Sequence, residues 1–422
     1  MSANAANSHT ARQPKPMRVL IGGGGTAGHI YPALSIVHEL MHGPSPLSSI
    51  GIGGASRSTD GSGDLGSDVG GSLTGNPDAS GPQVHFAHGP SRIDLEVLAH
   101  AGIARTRIAA SPVRGVTPHR AAIGMLRLIG AFGQAWRLVG TFRPNVVLVT
   151  GGYVSAPVLV AARIRGVPSV VFLPDIVPGF AVRAMAPFAS RVAVSFAATR
   201  AHWKSSASVV TGYPVRPEFL AANRERGRAS FGIVGDRPVL LATGGSSGAR
   251  SINFALMDVL EPLLHHADLI HLCGELDEAR LRATRNALPT ELRRRYHLYR
   301  YLHKGMADAM AASDLVICRA GASTMAELPA VGRPAIVIPG TFAGGHQAEN
   351  ASVLVAAGAA VMVPDDALGA SSRGSQGPLL STILELLGDK DRLSGMATAS
   401  RTLARPEAAA NIVSLLASVA RT

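Results

Sequence analysis

Four short apolar runs in the chain each end in a glycine turn that leads into a helical pattern. The runs and their turns are Met17–Ile21 with Gly22–His29, Asn145–Thr150 with Gly151–Pro157, Arg237–Thr243 with Gly244–Ala249, and Asp314–Cys318 with Arg319–Ala322. Strand, tight turn and helix are the repeating parts of a parallel sheet that binds ligands beyond the carboxyl ends of its strands. Two such units in each half of the chain predict an α/β fold with two doubly wound, Rossmann-like domains facing a cleft.

The composition agrees with two domains of ordinary size. The chain has 422 residues, of which 46% are hydrophobic and only 5% aromatic, so the cores are expected to consist of Ala, Val, Leu and Ile. Cys273 and Cys318 both lie in apolar runs, which predicts reduced, buried thiols in a cytoplasmic protein without disulfides. No stretch of the sequence reaches the roughly 20 uncharged apolar residues of a membrane span.

Low-complexity and proline-flanked segments suggest the domain boundaries. Residues 1–16 are polar, with no apolar signal core, and predict a disordered tail. Gly51–Pro82 is rich in Gly, Ser and Asp and predicts a flexible insert. The segment Gly212–Pro217 is the predicted linker, so we expect the first domain over residues 17–213 and the second over residues 214–406.

The charge of the chain indicates anionic partners. The formal net charge is +12, but the arginines are spread along the sequence without a basic block that contains aromatic residues, which favours a membrane surface and phosphorylated substrates over nucleic acid. The stretch His119–Phe142 predicts a helix in which Phe132 and Trp136 accompany several arginines. Such a helix either lies on an anionic membrane surface or faces the core with solvated arginines.

The stretch Cys318–Ala351 predicts a site for a sugar nucleotide. Ser323 and Thr324 open a helix whose N–H groups and dipole favour phosphate, and Glu327 one turn later can accept hydrogen bonds from ribose hydroxyls. The amides of Gln347 and Asn350, in the loop after the next apolar run, offer donors and acceptors for sugar hydroxyls. The alternative is a buried αβ unit in which the serine and threonine only cap the helix.

Three further polar residues are candidates for the site, and two of them, Asp175 and Arg216, have two interpretations each. His29 follows a glycine turn that resembles a dinucleotide-binding fingerprint, but no acidic residue follows at the usual distance of about 20 residues, which disfavours a dehydrogenase. Asp175, after the run Pro168–Leu173, is either a general base or a helix cap. Arg216 either neutralises a phosphate or supports the hinge.

Six motifs that occur together and in order carry a family resemblance. They are Gly24–His29, Gly151–Ser155, Gly212–Arg216, Gly244–Ala249, Cys318–Glu327 and His346–Asn350. The whole chain from Met17, apart from the insert, resembles the MurG family, the bacterial N-acetylglucosaminyltransferases of peptidoglycan synthesis. The resemblance implies a GT-B fold, with acceptor and membrane binding by the first domain, UDP-GlcNAc binding by the second, and residues 407–422 packing back on the first as a helix.

The resemblance also implies the roles of individual residues. Donor contacts are expected from Arg216, Ser246, Leu302, Ser323, Thr324, Glu327, Gln347 and Asn350. Contacts to the acceptor pyrophosphate are expected from Thr26, Gly28, His29 and Ser155. The chain departs from the family pattern at Leu173-Pro174-Asp175, where Glu-x-Asn is common, and at Ser247, where Gln is usual.

The implied reaction is inverting transfer of GlcNAc from UDP-GlcNAc to the C4 hydroxyl of undecaprenyl-pyrophosphoryl-MurNAc-pentapeptide at the cytoplasmic side of the cell membrane, where the protein is peripheral. The helix start at Ser323 and Thr324, the Ser246 turn and Arg216 can stabilise the departing diphosphate, so neither metal nor cofactor is expected. His29 and Asp175 are the candidates for the base. Two alternatives are a related transferase acting on another lipid and a non-catalytic protein that binds sugar nucleotides.

Overall fold

The computed structural model describes residues 16–25, 27–43, 81–110, 118–203, 207–302, 304–341, 346–369 and 377–421. The predicted tail and insert, except residue 16 and residues 81–82, lie outside these ranges, as does Thr26. Within the described ranges, thirteen strands form two parallel sheets of seven and six strands. The chain therefore has the predicted α/β architecture, with one doubly wound sheet in each lobe.

The first sheet has the strand order β3-β2-β1-β4-β5-β6-β7. Its strands are β1 (Arg18–Gly22), β2 (Gln83–His88), β3 (Ala104–Arg107), β4 (Val146–Val149), β5 (Ser169–Leu173), β6 (Arg191–Val194) and β7 (Ser208–Val210). Its helices are α1 (Ala27–His42), α2 (Arg92–His100), α3 (Pro118–Phe142), α4 (Ser155–Ile164), α5 (Phe180–Met185) and α6 (Thr199–His202), with a 3₁₀ turn at Ala186–Phe188. The strand order changes direction between β1 and β4, which pair in parallel from Val19 with Val146 to Gly22 with Val149.

The second sheet has the equivalent order β10-β9-β8-β11-β12-β13. Its strands are β8 (Val239–Thr243), β9 (Asp268–Leu272), β10 (Tyr296–Tyr299), β11 (Leu315–Cys318), β12 (Ala335–Val337) and β13 (Ala360–Met362). The helices from the linker onward are α7 (Pro217–Leu220), α8 (Arg224–Ser230), α9 (Arg250–Asp258), α10 (Leu260–His266), α11 (Glu278–Ala287), α12 (Thr290–Arg294), α13 (Met306–Ala312), α14 (Ala322–Val331), α15 (His346–Ala356), α16 (Pro378–Gly388), α17 (Lys390–Thr402) and α18 (Ala408–Val419). A 3₁₀ turn spans Asp366–Gly369.

Burial on both faces explains the continuous apolar runs of the central strands. All residues of β4, β5, β8 and β11 are buried, because helices cover both sides of each parallel sheet. Two apolar clusters flank each sheet, and they consist mainly of Ala, Val, Leu and Ile, as the composition predicts. Cys273 and Cys318 are buried free thiols.

The glycine turns lie at the point in each sheet where the strand order changes direction. In the first sheet the turns follow the neighbouring strands β1 and β4, and in the second they follow β8 and β11. At such a point the two connections leave toward opposite faces of the sheet and open a crevice, which is where doubly wound folds bind ligands. The sequence pattern therefore marks one ligand crevice per lobe.

The last helix, α18, packs against the first lobe. Ile412 and Leu416 are fully buried in the cluster that α1 forms with the first sheet, and Asn411 Nδ2 donates to the Thr211 carbonyl oxygen at 3.2 Å. Gly212 adopts a φ of +86° beside this crossing, and a Cβ there would lie 2.9 Å from Ala408 Cβ. The chain thus passes between the lobes twice, once after β7 and once before α18.

The α3 helix faces the core over much of the length that the structure describes. Phe132 and Trp136 pack against the apolar cluster of the first lobe, and the Arg165 guanidinium lies 4.0 Å above the Trp136 ring. Of the two interpretations of this helix, the structure therefore supports the core-facing one for these two side chains, whereas Ile129 on the same helix is 65% exposed. Among the described helices, none has the length and apolar character needed to cross a bilayer.

Candidate active site

The two glycine turns of the first lobe contact each other directly. A Cβ at Gly152, whose φ is +83°, would lie 2.1 Å from the Gly24 carbonyl oxygen. A Cβ at Gly151 would lie 2.5 Å from Cδ2 of the His29 ring. Only residues without a side chain permit this approach, so the glycines bring the His29 ring, from the β1 turn, against the backbone of the β4 turn.

Two hydrogen bonds fix His29 at this junction. Thr150 Oγ1 donates to the His29 carbonyl oxygen at 2.8 Å, and His29 Nδ1 lies 3.3 Å from the Gly24 carbonyl oxygen. Because a carbonyl oxygen can only accept, this contact places the proton of the neutral imidazole on Nδ1 and the lone pair on Nε2. Gly28 lies beside His29 in the first turn of α1 and is partly buried.

Ser155 supports the second glycine turn from within the lobe. Its side chain is fully buried, and its hydroxyl lies 2.8 Å from the Gly151 carbonyl oxygen, 3.1 Å from the Gly22 carbonyl oxygen and 3.1 Å from the Gly151 nitrogen. The hydroxyl is thus used in joining the two turns. A direct contact of Ser155 with an acceptor stays a prediction.

On the opposite lobe, no side chain caps the N-terminus of α14, and such a helix start suits an anion. Its N-cap is Gly321, without a side-chain cap, so Ser323 and Thr324 lie inside the first turn rather than at the capping position. The first N–H groups of a helix have no partner within the helix and favour negative charge. Both residues are partly buried, and their position speaks against the interpretation in which they only cap the helix.

Glu327, one turn further along α14, forms an ion pair with Arg216 of the linker. The Arg216 Nη2 atom lies 3.6 Å from Glu327 Oε1, and Nη1 lies 3.1 Å from Glu218 Oε1. Burial raises the pKa of the Glu327 carboxyl above its ordinary value, and the positive charge of Arg216 opposes this effect. The structure therefore brings together two residues predicted to bind the diphosphate and the ribose.

Tyr31 and Tyr301 join the lobes beside this ion pair, and sequence reasoning missed both. Their hydroxyl oxygens are 3.2 Å apart, and the Arg216 guanidinium lies 4.4 Å above the Tyr31 ring. Tyr31 lies on α1, while Tyr301 precedes Leu302 after β10. No local pattern could have found a contact between residues 270 positions apart, although Tyr31 lies two residues after His29 and Tyr301 directly precedes Leu302.

Asn350 makes the second set of contacts between the lobes. Its Oδ1 accepts from the Ile176 backbone N–H at 3.0 Å, and its Nδ2 donates to Asp175 Oδ1 at 2.8 Å and to the Ala320 carbonyl oxygen at 3.1 Å. The side chain is fully buried. Asp175 therefore lies at the interface and caps no helix, since Gly179 is the N-cap of the α5 helix that follows it.

The remaining predicted donor residues lie at three separate places in the second lobe. Ser246 is exposed in the turn between β8 and α9, and Leu302 is partly buried after β10. Gln347, partly buried in the first turn of α15, accepts from the Gly340 backbone N–H through Oε1 at 2.8 Å, so its amide nitrogen takes no part in this contact.

Two doubly wound parallel-sheet lobes that meet across a cleft have the architecture of the GT-B fold, and matches to known families identify the class as glycosyltransferase. Residues 78–194 match the glycosyltransferase family 28 N-terminal domain, and residues 239–412 match the glycosyltransferase family 28 C-terminal domain. Both lobes of the cleft therefore carry the signature of one enzyme family.

Curated relatives narrow the class further. The UDP-N-acetylglucosamine--N-acetylmuramyl-(pentapeptide) pyrophosphoryl-undecaprenol N-acetylglucosamine transferase of Roseiflexus sp. (strain RS-1) is 37% identical, over 95% of this chain and 94% of that protein. The enzyme of the same name from Desulforudis audaxviator (strain MP104C) is 35% identical, over 96% and 99%. The chain belongs to this family of transferases. A crystal structure of Acinetobacter baumannii MurG shares the fold, with a TM-score of 0.66 at 23% identity over 96% of this chain and 100% of that one.

Proposed function

We propose that the protein transfers GlcNAc from UDP-GlcNAc to the C4 hydroxyl of undecaprenyl-pyrophosphoryl-MurNAc-pentapeptide, in the synthesis of the cell wall and hence in cell shape and division. The observation that carries the proposal is a pair of contacts between the lobes, Asp175 with Asn350 and Tyr31 with Tyr301. These contacts support a cleft in which the glycine turns of the two sheets face each other. Two pockets on facing sheets suit a reaction between two large substrates, each with a diphosphate.

The donor side of the proposal uses residues that meet around α14. The start of α14 at Ser323 and Thr324, together with Ser246, binds the diphosphate of UDP by donating hydrogen bonds to it. Glu327 accepts hydrogen bonds from the ribose hydroxyls. Arg216, held 3.6 Å from Glu327, lies within reach of the same diphosphate. The backbone at Leu302 binds the uracil edge, and the amide of Gln347 donates to hydroxyls of the GlcNAc ring.

The chemistry requires an attacking oxygen and a stabilised leaving group. The C4 hydroxyl of the acceptor forms a bond to C1 of the α-linked GlcNAc while the bond from C1 to the phosphate oxygen breaks, and the product has a β-1,4 link. Negative charge grows on the departing UDP, where the α14 N-terminus and the Arg216 guanidinium stabilise it. These groups supply the positive charge from the chain itself, so the proposed mechanism uses no metal or cofactor.

The proton of the attacking hydroxyl has two candidate acceptors. His29 is the preferred base or positioner of the acceptor, because its ring lies at the junction of the two glycine turns, with Nδ1 beside the Gly24 carbonyl oxygen. Gly28 and Thr26 are the further residues proposed to contact the acceptor pyrophosphate. Asp175 is the rival, although its Oδ1 atom accepts from Asn350. The buried Ser155 hydroxyl stabilises the same two turns through its contacts with the Gly22 and Gly151 carbonyl oxygens.

The proposed acceptor carries a polyprenyl chain, so the first lobe has to reach an anionic membrane surface at the cytoplasmic side. Four large apolar side chains on neighbouring elements, each between 46% and 67% exposed, support this role: Ile129, Ile164, Phe180 and Phe188. Their elements pack together, since α4 contacts α3, α5 and the 3₁₀ turn that holds Phe188. Exposed arginines on the same elements or directly after them, Arg127, Arg137, Arg163, Arg183 and Arg191, suit anionic headgroups.

One assay tests the proposal against its alternatives. UDP release from UDP-GlcNAc is measured with and without a short-chain lipid-linked MurNAc-pentapeptide, and we expect release only when the acceptor is present. Release with a diacylglycerol or sterol acceptor instead would identify a related transferase with another lipid substrate. Binding of UDP-GlcNAc without release under any of these conditions would identify a non-catalytic sugar-nucleotide-binding protein.

A further inference from the structure

Asn350 uses its amide in full at the interface between the lobes. Both N–H groups donate, one to Asp175 and one to the Ala320 carbonyl oxygen, and the side-chain oxygen accepts from the Ile176 N–H. An asparagine amide offers two donors and one carbonyl acceptor, so each group has a protein partner in this arrangement. The amide orientation is also decided, because the Ile176 N–H can only donate and the Ala320 oxygen can only accept.

The three partners of Asn350 belong to both halves of the proposed site. Asp175 and Ile176 lie in the loop between β5 and α5 of the first lobe. Ala320 lies between β11 and the start of α14, three residues before Ser323. One side chain on α15 therefore connects the loop that holds a candidate base with the turn that leads to the diphosphate-binding helix.

We infer that Asn350 is a positioning residue, which sets the distance between the two lobes instead of binding the sugar directly. This inference rests on the proposed function for its catalytic consequence. In a two-substrate transfer the attacking oxygen and the sugar carbon have to approach closely and in the correct direction, and small misplacements lower the rate steeply. Loss of the Asn350 contacts therefore lowers kcat, whereas the pocket for UDP-GlcNAc within the second lobe stays intact.

Charge at position 350 tests the contact most sharply. Asn350→Asp keeps the size of the side chain but removes both donors and places a second carboxylate beside Asp175, so the lobes are expected to separate. Asp175→Asn keeps an oxygen that can accept from Asn350, and the lobe distance should not change. The double variant, Asp175→Asn with Asn350→Asp, restores the donor–acceptor pair between positions 175 and 350 with its direction reversed but does not restore the donor to the Ala320 carbonyl oxygen, so the lobe distance should recover in part and the cycle reports the coupling of the pair.

Lobe separation can be measured directly in the full chain. Thr141→Cys on α3 and Ser394→Cys on α17 place spin labels at exposed positions of opposite lobes, while Cys273 and Cys318 are buried. Pulsed dipolar spectroscopy should give one narrow distance for the otherwise unchanged chain, a broader and longer distribution for Asn350→Asp, and partial recovery in the double variant. Thermal unfolding of each variant identifies any that fails to fold.

Kinetics provides the second readout, with a control on the same helix. For Asn350→Asp we expect kcat to fall about tenfold or more while Kd for UDP-GlcNAc stays within about twofold. Gln347→Ala, one turn earlier, should instead weaken UDP-GlcNAc binding and leave the lobe distance unchanged. The inference is overturned if Asn350→Asp weakens UDP-GlcNAc but not UDP binding at an unchanged lobe distance, which is the result for a direct sugar ligand.

The distance measurement separates this inference from the proposed function. If the unaltered chain shows no transfer to the lipid-linked acceptor, the proposed function fails, yet the lobe distances of the variants still decide the role of Asn350. If transfer occurs and the distances of all variants coincide, the positioning role fails and the function stands. A collapse of the Asn350→Asp fold is distinguished by the double variant, whose recovery requires the pair itself.

Discussion

Arg216 contacts two carboxylates that differ in exposure, and this difference separates two roles. The Glu327 side chain is 11% exposed, whereas that of Glu218 is 49% exposed. An ion pair near water contributes little, but a buried carboxylate depends on its partner and can bind a ligand strongly. The buried partner is therefore expected to act in donor binding, and the exposed partner is not.

Glu327→Gln tests this assignment. The substitution keeps the shape of the side chain but removes the charge that accepts from ribose hydroxyls, and hydrogen bonds to charged groups contribute about 1.5–3 kcal/mol. We expect KM for UDP-GlcNAc to rise by about tenfold or more in steady-state assays. Glu218→Gln is the matched control, since it removes the other partner of Arg216, and an equal effect of both variants would contradict the assignment.

His29 gives a second residue-scale prediction. A general base contributes about 10²–10⁴-fold to the rate, so His29→Ala should lower kcat by that amount without changing Kd for UDP-GlcNAc. The acidic limb of the pH profile of kcat/KM, which reports protonation of the base in the free enzyme, should disappear in the variant. Near-normal turnover of both His29→Ala and Asp175→Ala would show that neither residue is the base.

The paired turns after β1 and β4 are the elements most sensitive to a single added methyl group. Gly152→Ala places a Cβ 2.1 Å from the Gly24 carbonyl oxygen, and backbone atoms on both sides cannot move aside easily. We expect this variant to lose several kcal/mol of stability, as large steric changes do, and to melt at lower temperature. Gly25→Ala is the control, because its φ of +92° is equally strained but nothing lies within 4 Å of the added Cβ. Equal melting temperatures would argue against the close contact of the turns.

A buried series of hydrogen-bonded side chains beside the second sheet predicts how the stability of the fold depends on pH. His271 Nδ1 lies 2.9 Å from the Tyr296 hydroxyl, and Nε2 lies 3.0 Å from Asn253 Oδ1. Asn253 Nδ2 donates to Asp277 Oδ2, so the asparagine oxygen accepts from an Nε2–H and the neutral imidazole is fully paired. Burial lowers the pKa of His271 to about 4, from an ordinary value of 6.5.

The sign of the effect follows from proton binding. Between pH 6.5 and pH 4 the unfolded chain takes up a proton at His271 that the folded chain does not, so stability falls as the pH decreases through this window. We expect a loss of about 2 kcal/mol between pH 7.5 and pH 5 in denaturant unfolding. His271→Gln should remove this part of the pH dependence. An unchanged slope in the variant would show that other groups cause it.

At the scale of the whole molecule, the exposed apolar side chains of the first lobe predict how the protein meets a bilayer. Ile129→Glu combined with Phe180→Glu adds negative charge on α3 and α5 and should reduce binding to anionic liposomes by about tenfold or more in sedimentation assays. UDP-GlcNAc binding should stay unchanged. Leu276→Glu is the control, because this side chain is 77% exposed on the second lobe. If the Leu276→Glu control lost as much liposome binding as the double variant, the exposed apolar side chains of the first lobe would not be the membrane-binding surface.

The sequence predicts most of the architecture because the informative patterns are local. Strands buried on both faces, such as β4 and β8, are continuous apolar runs, and the glycine turns follow them directly. The edge strand β3 was missed, since its residues Ala104–Arg107 are largely exposed and polar. Contacts between distant segments, such as Tyr31 with Tyr301 or Asp175 with Asn350, depend on how the lobes meet, which no periodicity records.

The orientation of α3 shows a different limit of local patterns. An apolar stripe with arginines on the other face has the same periodicity whether the stripe meets a core or a membrane. Burial decides between them, and it assigns Phe132 and Trp136 to the core while it leaves Ile129 exposed. The surface that suits a bilayer draws on four separate elements, so it emerges only after the chain has folded.

The return of α18 to the first lobe has a consequence during protein synthesis. Ile412 and Leu416 complete an apolar cluster that also holds residues of β1 and α1, which are translated long before them. That lobe keeps an uncovered apolar surface until α18 has been translated, because this helix follows the whole second lobe in the chain. A message truncated before codon 408 would therefore yield a nascent product that depends on chaperones, even though every strand of both sheets would be present.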